Sequence, residues 1–177
     1  AAMTGDFGTF MSWCDEYRKL GVRANADSPE HAAAALELGA EGIGLCRTEH
    51  MFLGDRAALV QNMILAEDDE ERQIAIDKLL PLQREDFEGI LKAMDGKPVT
   101  IRLIDPPLHE FLPHAGTVKV KLREMLDSDA SGVAVANAGR LLAAVEDMHE
   151  QNPMLGLRGC RLSIYFPQIV NMQVAAI

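Results

Sequence analysis

The sequence predicts an α/β fold built from parallel strand and helix units. Three observations point to it: short apolar runs typical of strands, longer stretches between them with helical spacing of apolar residues, and glycine or proline at most boundaries. Strands that alternate with helices in this way are typical of a parallel sheet covered by its helices. With 177 residues, 48% of them hydrophobic, the chain can bury the core of one domain.

The first predicted elements are a helix, a strand and a second helix. Residues 7–20 form a predicted lead-in helix, because apolar side chains recur there at helical spacing: Phe7, Phe10, Met11, Cys14 and Tyr17. Residues 22–26 form a short predicted strand. Ser28 then predicts an N-cap, with Pro29 in the first helical turn and Gly39 at the end of the helix.

Two further strands and two helical regions follow. Residues 42–46 form the second predicted strand and residues 99–104 the third, which Pro106-Pro107 ends because proline cannot donate to a ladder. Between them, residues 55–94 are strongly helical, and we expect breaks at Asp68 and Pro81.

The last third of the chain is again predicted to be mainly helical. Helical spacing starts at Lys119, breaks at residues 128–132 and resumes to about Glu150. The strands and helices therefore make about three βα units.

Charge and composition narrow the classes of partner. The chain carries 17 basic and 27 acidic residues, a formal net charge of −10, so we expect neither nucleic acid nor an anionic membrane as partner. No apolar run approaches the roughly 20 residues of a membrane helix, and the start has no signal-peptide pattern. Cys14, Cys46 and Cys160 are an odd, widely spaced set, as expected for reduced thiols. We expect a cytoplasmic protein, an organelle being also compatible.

Three arginines are the candidate ligands for an anion. Arg47 lies at the end of a strand-like run, where the sites of α/β folds lie, and the apolar run at residues 98–105 repeats the arrangement with Arg102. Arg158 follows a glycine, with Arg161 as a close competitor. The planar guanidinium donates two parallel hydrogen bonds to a phosphoryl group and keeps its charge. Most arginines instead form structural ion pairs, and we interpret six others this way: Arg23, Arg56, Arg72, Arg84, Arg123 and Arg140.

Five stretches carry a resemblance to a known family. They are GDF at residues 5–7, LGVRANAD at 20–27, GLCRTEHMF at 44–52, IRLIDPPLHEF at 101–111 and the run from Asn152 through Arg161. Together they closely resemble the phosphoenolpyruvate-binding barrel of the pyruvate phosphate dikinase family, nearly end to end. Enzyme I of the sugar phosphotransferase system and phosphoenolpyruvate synthase share part of the pattern, but we do not expect CRTEHM or DPPLHE in them.

The resemblance implies a fold and an activity. The chain would be a partial (βα)8 TIM-type barrel, about the first three βα units, since a whole barrel needs about 250 residues and eight strands. Residues 1–177 would all belong to it, with residues 1–20 leading in from a preceding domain. Dikinases of this family convert pyruvate, ATP and phosphate into phosphoenolpyruvate, AMP and diphosphate. By resemblance, Arg47, Arg102 and Arg158 bind the phosphoryl group of phosphoenolpyruvate.

The resemblance also implies parts that lie elsewhere. The phosphohistidine belongs to a separate domain, and the Mg²⁺ ligands and an acid/base cysteine lie on later strands, so we expect no catalytic residue and no metal ligand within this chain. The isolated chain should be inactive. We expect phosphoenolpyruvate or pyruvate, the phosphohistidine domain and a second subunit, in a homodimer, as its partners.

Several other polar residues invite a catalytic or metal interpretation. Glu49, Asp105 and Glu110 could form an acid/base pair, but each lies beside an arginine, and support of that arginine is the preferred role. His50 and His109 are expected to hydrogen-bond near the site and hold loops. A zinc site has poorly spaced candidate ligands and is disfavoured: Cys46, His50, His109, His114 and Cys160.

Two alternatives remain open. The chain could be a truncated, non-catalytic paralogue that binds a phosphorylated metabolite or a partner protein. It could also be a fragment of phosphoenolpyruvate synthase.

Overall fold

The computed structural model describes residues 3–128, 131–148 and 154–177, except for the side chain of Asp55. This part of the chain contains three strands, β1 to β3, at Ala24–Asn25, Ile43–Arg47 and Val99–Arg102. It also contains eight α-helices, α1 to α8, at Gly5–Tyr17, Pro29–Glu37, Ala57–Leu65, Asp69–Ala93, Ala115–Asp127, Gly132–Asp147, Gly159–Tyr165 and Pro167–Ala176. Short 3-10 helices occupy Thr48–Phe52, Gly54–Arg56 and Leu108–Phe111. No helix in these ranges is both long and apolar enough to cross a bilayer.

The three strands form one parallel sheet in the order β1-β2-β3. Ala24 pairs with Ile43 across β1 and β2, and Arg47 pairs with Arg102 across β2 and β3. This confirms the predicted α/β class and the parallel pairing, because consecutive parallel neighbours joined by helices are the pattern that the sequence indicated.

The chain divides into two compact units. The first comprises Ala1–Phe52, Leu80–Ile104 and Gln173–Ile177, and contains the sheet. In its core, Phe87 and Ile90 of α4 and Ile43 and Cys46 of β2 are fully buried. Burial raises the pKa of the Cys46 thiol to about 11, which keeps it protonated at neutral pH. Cys46 is therefore a small core residue.

The second unit comprises Leu53–Leu79 and Asp105–Met172 and is mainly helical. Helices α5 and α6 pack as a pair, with Val118 and Val145 buried and an ion pair between Lys119 Nζ and Glu146 Oε1 at 2.7 Å. The guanidinium of Arg72 lies 4.8 Å from the ring centroid of Phe166 and pairs with Asp69 at 2.6 Å. The structural interpretation of Arg72 is therefore confirmed.

Helix α2 has the predicted boundaries almost to the residue. The Ser28 side chain accepts a hydrogen bond from the backbone N–H of His31, and Pro29 is the first helical residue. Gly39 follows the helix with a φ of 91°, a left-handed conformation that glycine adopts without strain. The predicted break at Asp68 is also confirmed, because its carboxylate accepts from the backbone N–H of Glu71 as α4 begins.

The predicted break at Pro81 is wrong. Pro81 lies inside α4, which runs unbroken from Asp69 to Ala93. A proline there costs one backbone hydrogen bond and some steric strain. Burial of Leu79, Phe87 and Ile90 along the same helix outweighs that cost.

Other predicted boundaries differ by a few residues. Strand β1 is shorter than residues 22–26, because the backbone N–H of Val22 donates to the Glu41 carboxylate at 2.9 Å rather than to the ladder. Helix α5 begins at Ala115, before the predicted Lys119, since the His114 ring accepts from the N–H of Gly116 and caps it. Helix α6 ends at Asp147, and the predicted end at Glu150 lies outside the described residues.

Candidate functional site

Two of the three candidate arginines lie side by side. Arg47 is the last residue of β2 and Arg102 the last residue of β3, and their Cα atoms are partners in the parallel ladder. In a parallel sheet the carboxyl ends of the strands share one edge, so both guanidinium groups start from the edge where α/β folds place ligand sites. The side chains are 37% and 38% exposed, which leaves both accessible to a ligand.

Asp27 holds the first of these arginines. Arg47 donates from Nη2 to Asp27 Oδ2 at 2.7 Å and from Nε at 3.1 Å, and its backbone N–H donates to Oδ1 at 2.7 Å. His50 Nδ1 lies 2.8 Å from the same Oδ2. One carboxylate therefore orients the arginine, its backbone and a neighbouring imidazole together.

The electrostatics of this group favour its ionised form. Burial opposes ionisation of Asp27, but the hydrogen bonds from the side chain and backbone of Arg47 outweigh it and lower the pKa of the carboxyl. The side-chain hydrogen bond to Asp27 and the charge of that carboxylate raise the pKa of Arg47 above its already high value. The pair is therefore charged at neutral pH.

Glu49 holds the second arginine. Arg102 Nη2 donates to Glu49 Oε1, and the glutamate, at 12% exposure, lies in the 3-10 helix directly after β2. Its other carboxylate oxygen, Oε2, is buried and has no hydrogen-bond partner among the described residues. Glu49 thus pairs with the arginine of the neighbouring strand rather than with Arg47, and its supporting role at the site stays a prediction.

Arg158 and Asp105 belong to the second unit. Arg158 Nη2 donates to Asp105 Oδ2, and the backbone N–H of Gly159 donates to the Asp105 carbonyl at 3.1 Å. Arg161, in α7, instead donates to the carbonyl of Gly156 in the segment before that helix, at 2.8 Å. The convergence of Arg158 with Arg47 and Arg102 stays a prediction. The Asn152-Pro153 part of the motif lies outside the described residues.

His109 and Glu110 are neighbours in the second unit. His109 lies in a 3-10 helix of the second unit and lines a cavity of about 380 Å³ together with Arg72, Leu108 and Phe166. Glu110 follows it in the same 3-10 helix. Neither position by itself defines a role.

The described carboxylates do not fit a metal centre. Asp27, Glu49 and Asp105 are each engaged by an arginine, whose positive charge opposes the binding of a cation. Residues 3–128, 131–148 and 154–177 contain no group of three or more histidine, cysteine, aspartate or glutamate side chains that could hold an ion.

Asp27 is the site residue that the sequence interpretation missed. The signal was present, because Asp27 follows the first strand and so belongs at the same edge as Arg47 and Arg102. Applying the strand-end rule to the first strand as well would have found it.

Fold and site together define an α/β domain with paired, carboxylate-held arginines at the carboxyl edge of a parallel sheet. Residues 1–177 match the family described as PEP-utilising enzyme, PEP-binding domain, and the chain belongs to that family.

Its curated relatives include several dikinases. The chain is 57% identical to pyruvate, phosphate dikinase 2 of Zea mays, over 99% of this chain and 20% of that protein. It is 57% identical to the chloroplastic pyruvate, phosphate dikinase 1 of Oryza sativa subsp. japonica, over 99% and 18%. To the pyruvate, phosphate dikinase of Giardia intestinalis it is 54% identical, over 99% and 19%. The chain thus spans about one fifth of the length of these relatives.

Proposed function

We propose that this chain is part of a pyruvate phosphate dikinase and binds the phosphoryl group of phosphoenolpyruvate through Arg47 and Arg102. The observation that carries the proposal is the ladder pairing of these two arginines at adjacent strand ends. The identity to dikinases over 99% of the chain supports the choice of substrate. In the same proposal Arg158 is a third ligand of the phosphoryl group.

The orientation of Arg47 suits an anion. Asp27 engages the edge of the guanidinium formed by Nε and Nη2, so the end that carries Nη1 is the one that would face a ligand. At that end one N–H of Nη1 and the second N–H of Nη2 are parallel and match the spacing of two phosphoryl oxygens. Asp27 therefore acts in this proposal as the residue that aims the arginine.

The chemistry of phosphoryl transfer explains why positioned arginines matter. The transferred group carries its charge on three equatorial oxygens in a loose transition state, and positioned cations are most of what a protein contributes. Glu49 and Asp105 would fix the directions of Arg102 and Arg158, and His50 would fix Asp27. His109 is proposed to hold the loop that follows the third strand.

The remainder of the proposal concerns the full-length enzyme. Residues 1–177 would form about the first three units of a (βα)8 barrel, with residues 1–20 leading in from another domain. Mg²⁺ would be held by other residues of the full-length enzyme and would neutralise phosphoryl charge. A phosphohistidine domain would carry the group, and two subunits would form a homodimer.

Conservative replacement of the two arginines tests the proposal. In the full-length enzyme, Arg47→Lys and Arg102→Lys should each lower kcat/KM for phosphoenolpyruvate by roughly 10- to 100-fold, because lysine keeps the charge but loses the paired contact. Arg84→Lys is the matched control, since Arg84 is exposed and donates to the Ala175 carbonyl in the same unit. Near-normal rates in both arginine variants would show that these side chains are structural.

A further inference from the structure

A buried glutamine connects the two strand ends that carry the arginines. Gln173 lies on α8 and has no exposed surface. Its Oε1 accepts from the backbone N–H of Ile104 at 2.8 Å, and its Nε2 donates to Thr48 Oγ1 at 3.0 Å. The orientation of the amide is fixed by chemistry, because a backbone N–H can only donate.

The two contacts lie directly beyond the end of the ladder. Thr48 follows Arg47, and Ile104 comes two residues after Arg102, while the pairing of β2 with β3 ends at Arg47 and Arg102 themselves. Beyond that point the backbones no longer hydrogen-bond to each other in the ladder. The side chain of Gln173 takes over the connection and spans the gap between them.

The connection is rigid because it is buried. Thr48 has no exposed surface and Ile104 is 1% exposed, so water cannot readily replace either hydrogen bond. Loss of the glutamine amide would leave a buried N–H without a partner, and the backbone after Arg102 would have to move to satisfy it. Displacements of about 1 Å are enough to impair a site that grips a ligand from two sides.

We propose that Gln173 is a positioning residue that sets the separation of Arg47 and Arg102 for phosphoryl binding. The inference rests on the function proposed above, since it requires both arginines to hold one ligand. Gln173 itself does not touch the ligand. Gln173 acts through the two residues that it contacts, Thr48 after β2 and Ile104 after β3.

The experiment uses the full-length enzyme and measures the equilibrium dissociation constant for phosphoenolpyruvate. Gln173→Met keeps the size of the side chain and removes both hydrogen bonds, and we expect it to weaken binding roughly tenfold. Thr48→Val, a milder change, should weaken binding by a smaller factor, and Thr48→Ser, which keeps the hydroxyl, should restore it. Thr48→Val also decides the question if Gln173→Met does not fold.

Gln83→Met is the matched control. Gln83 is a second buried glutamine of the same unit, at 1% exposure, but its amide contacts the Met51 sulfur at 3.9 Å rather than the strand ends. If buried glutamines merely support the fold, both methionine variants should bind phosphoenolpyruvate alike. If Gln173 positions the arginines, only Gln173→Met should weaken binding.

A combined variant distinguishes a positioning role of Gln173 from a purely structural one. With Arg47 and Arg102 already changed to lysine, Gln173→Met should have little further effect on the dissociation constant, because the geometry that it controls is no longer used. The inference would be overturned if the effects of the arginine and Gln173 changes on the dissociation constant were additive. It would also be overturned if the Gln173→Met and Gln83→Met variants bound equally well. In both cases the proposed function of the arginines would stand. Unchanged binding in the arginine variants would instead overturn the proposed function, and the role of Gln173 with it.

Discussion

At the residue scale, the side chain of Glu41 holds the segment that leads into β1. It accepts two hydrogen bonds from the Arg18 guanidinium, at 2.7 and 3.0 Å, and one from the backbone N–H of Val22 at 2.9 Å. These bonds, those from Arg18 first, lower the pKa of the Glu41 carboxyl to about 2. The segment between α1 and β1 is therefore tied to the start of β2 by a charged group.

This predicts a specific acid sensitivity. Because the pKa of Glu41 is lower in the folded chain than its usual 4.5, its stabilising effect is complete above that value and is lost as the pH falls toward 2. In Glu41→Gln the melting temperature should be lower at neutral pH, and the difference from wild type should shrink between pH 5 and pH 2. Thermal melts across this range measure it, and a difference that stays constant with pH would contradict the assignment.

The sequence was informative about individual site residues where a strand end marked them. Arg47 and Arg102 are the last residues of β2 and β3, although the third strand was predicted to run to residue 104. Glu49 and Asp105 each pair with an arginine, but not with the one nearest in sequence. Gln173 could not be found in this way, because its partner Thr48 is 125 residues distant in sequence. Only the packing of α8 brings the two together, and no local pattern encodes that.

At the scale of elements, the sequence predicted the end of a helix or strand correctly where adjacent residues alone determine it. Ser28 and Pro29 start α2 because capping involves only adjacent backbone groups. Pro81 misled because its local cost is outweighed by the burial of side chains along the rest of α4. The early end of β1 likewise depends on Glu41, which lies in another segment.

A pair of glycines tests the packing of these helices. A Cβ atom at Gly89 of α4 would lie 2.5 Å from Cγ of Pro29 at the start of α2, whereas one at Gly139 of α6 would meet nothing within 4 Å. Gly89→Ala should therefore lower the free energy of unfolding by about 1–3 kcal/mol through overpacking. Gly139→Ala should raise it by about 0.5–1 kcal/mol, since alanine is the better helix former.

Urea denaturation of both variants beside the wild type measures the difference. Changes of the same sign would show that contact between α2 and α4 does not control the response. The comparison is internal, because each variant makes the same chemical change in the middle of a helix.

At the scale of the whole molecule, the sheet is small for a parallel one. In the part of the chain that the structure describes, β1 and β3 are each paired on one side only. Parallel sheets are normally covered on both faces, and strands with an unpaired side recruit other chains. Helix α1 adds an apolar surface, since Phe7, Phe10 and Trp13 are each more than half exposed.

We therefore expect the isolated chain to self-associate. Sedimentation at several concentrations should show dimers or larger species, or else melting should be broad and occur at low temperature. The same preparation should catalyse no exchange between phosphoenolpyruvate and pyruvate. A monomer at every concentration with a sharp, high-temperature transition would refute the partial-barrel proposal.

The pairing of each arginine with a carboxylate has a consequence for the thermodynamics of binding. Arg47 with Asp27 and Arg102 with Glu49 form two electroneutral pairs before any ligand arrives. A phosphoryl dianion would add negative charge that these four side chains do not cancel, so its binding should be linked to the uptake of protons or of a cation. Calorimetric titration of the full-length enzyme with phosphoenolpyruvate, in buffers of different ionisation enthalpy and with varied Mg²⁺, should show this linkage. The binding enthalpy could instead be independent of the buffer, and the affinity independent of Mg²⁺. That result would mean that the dianion displaces the carboxylates and becomes the counter-ion of the arginines.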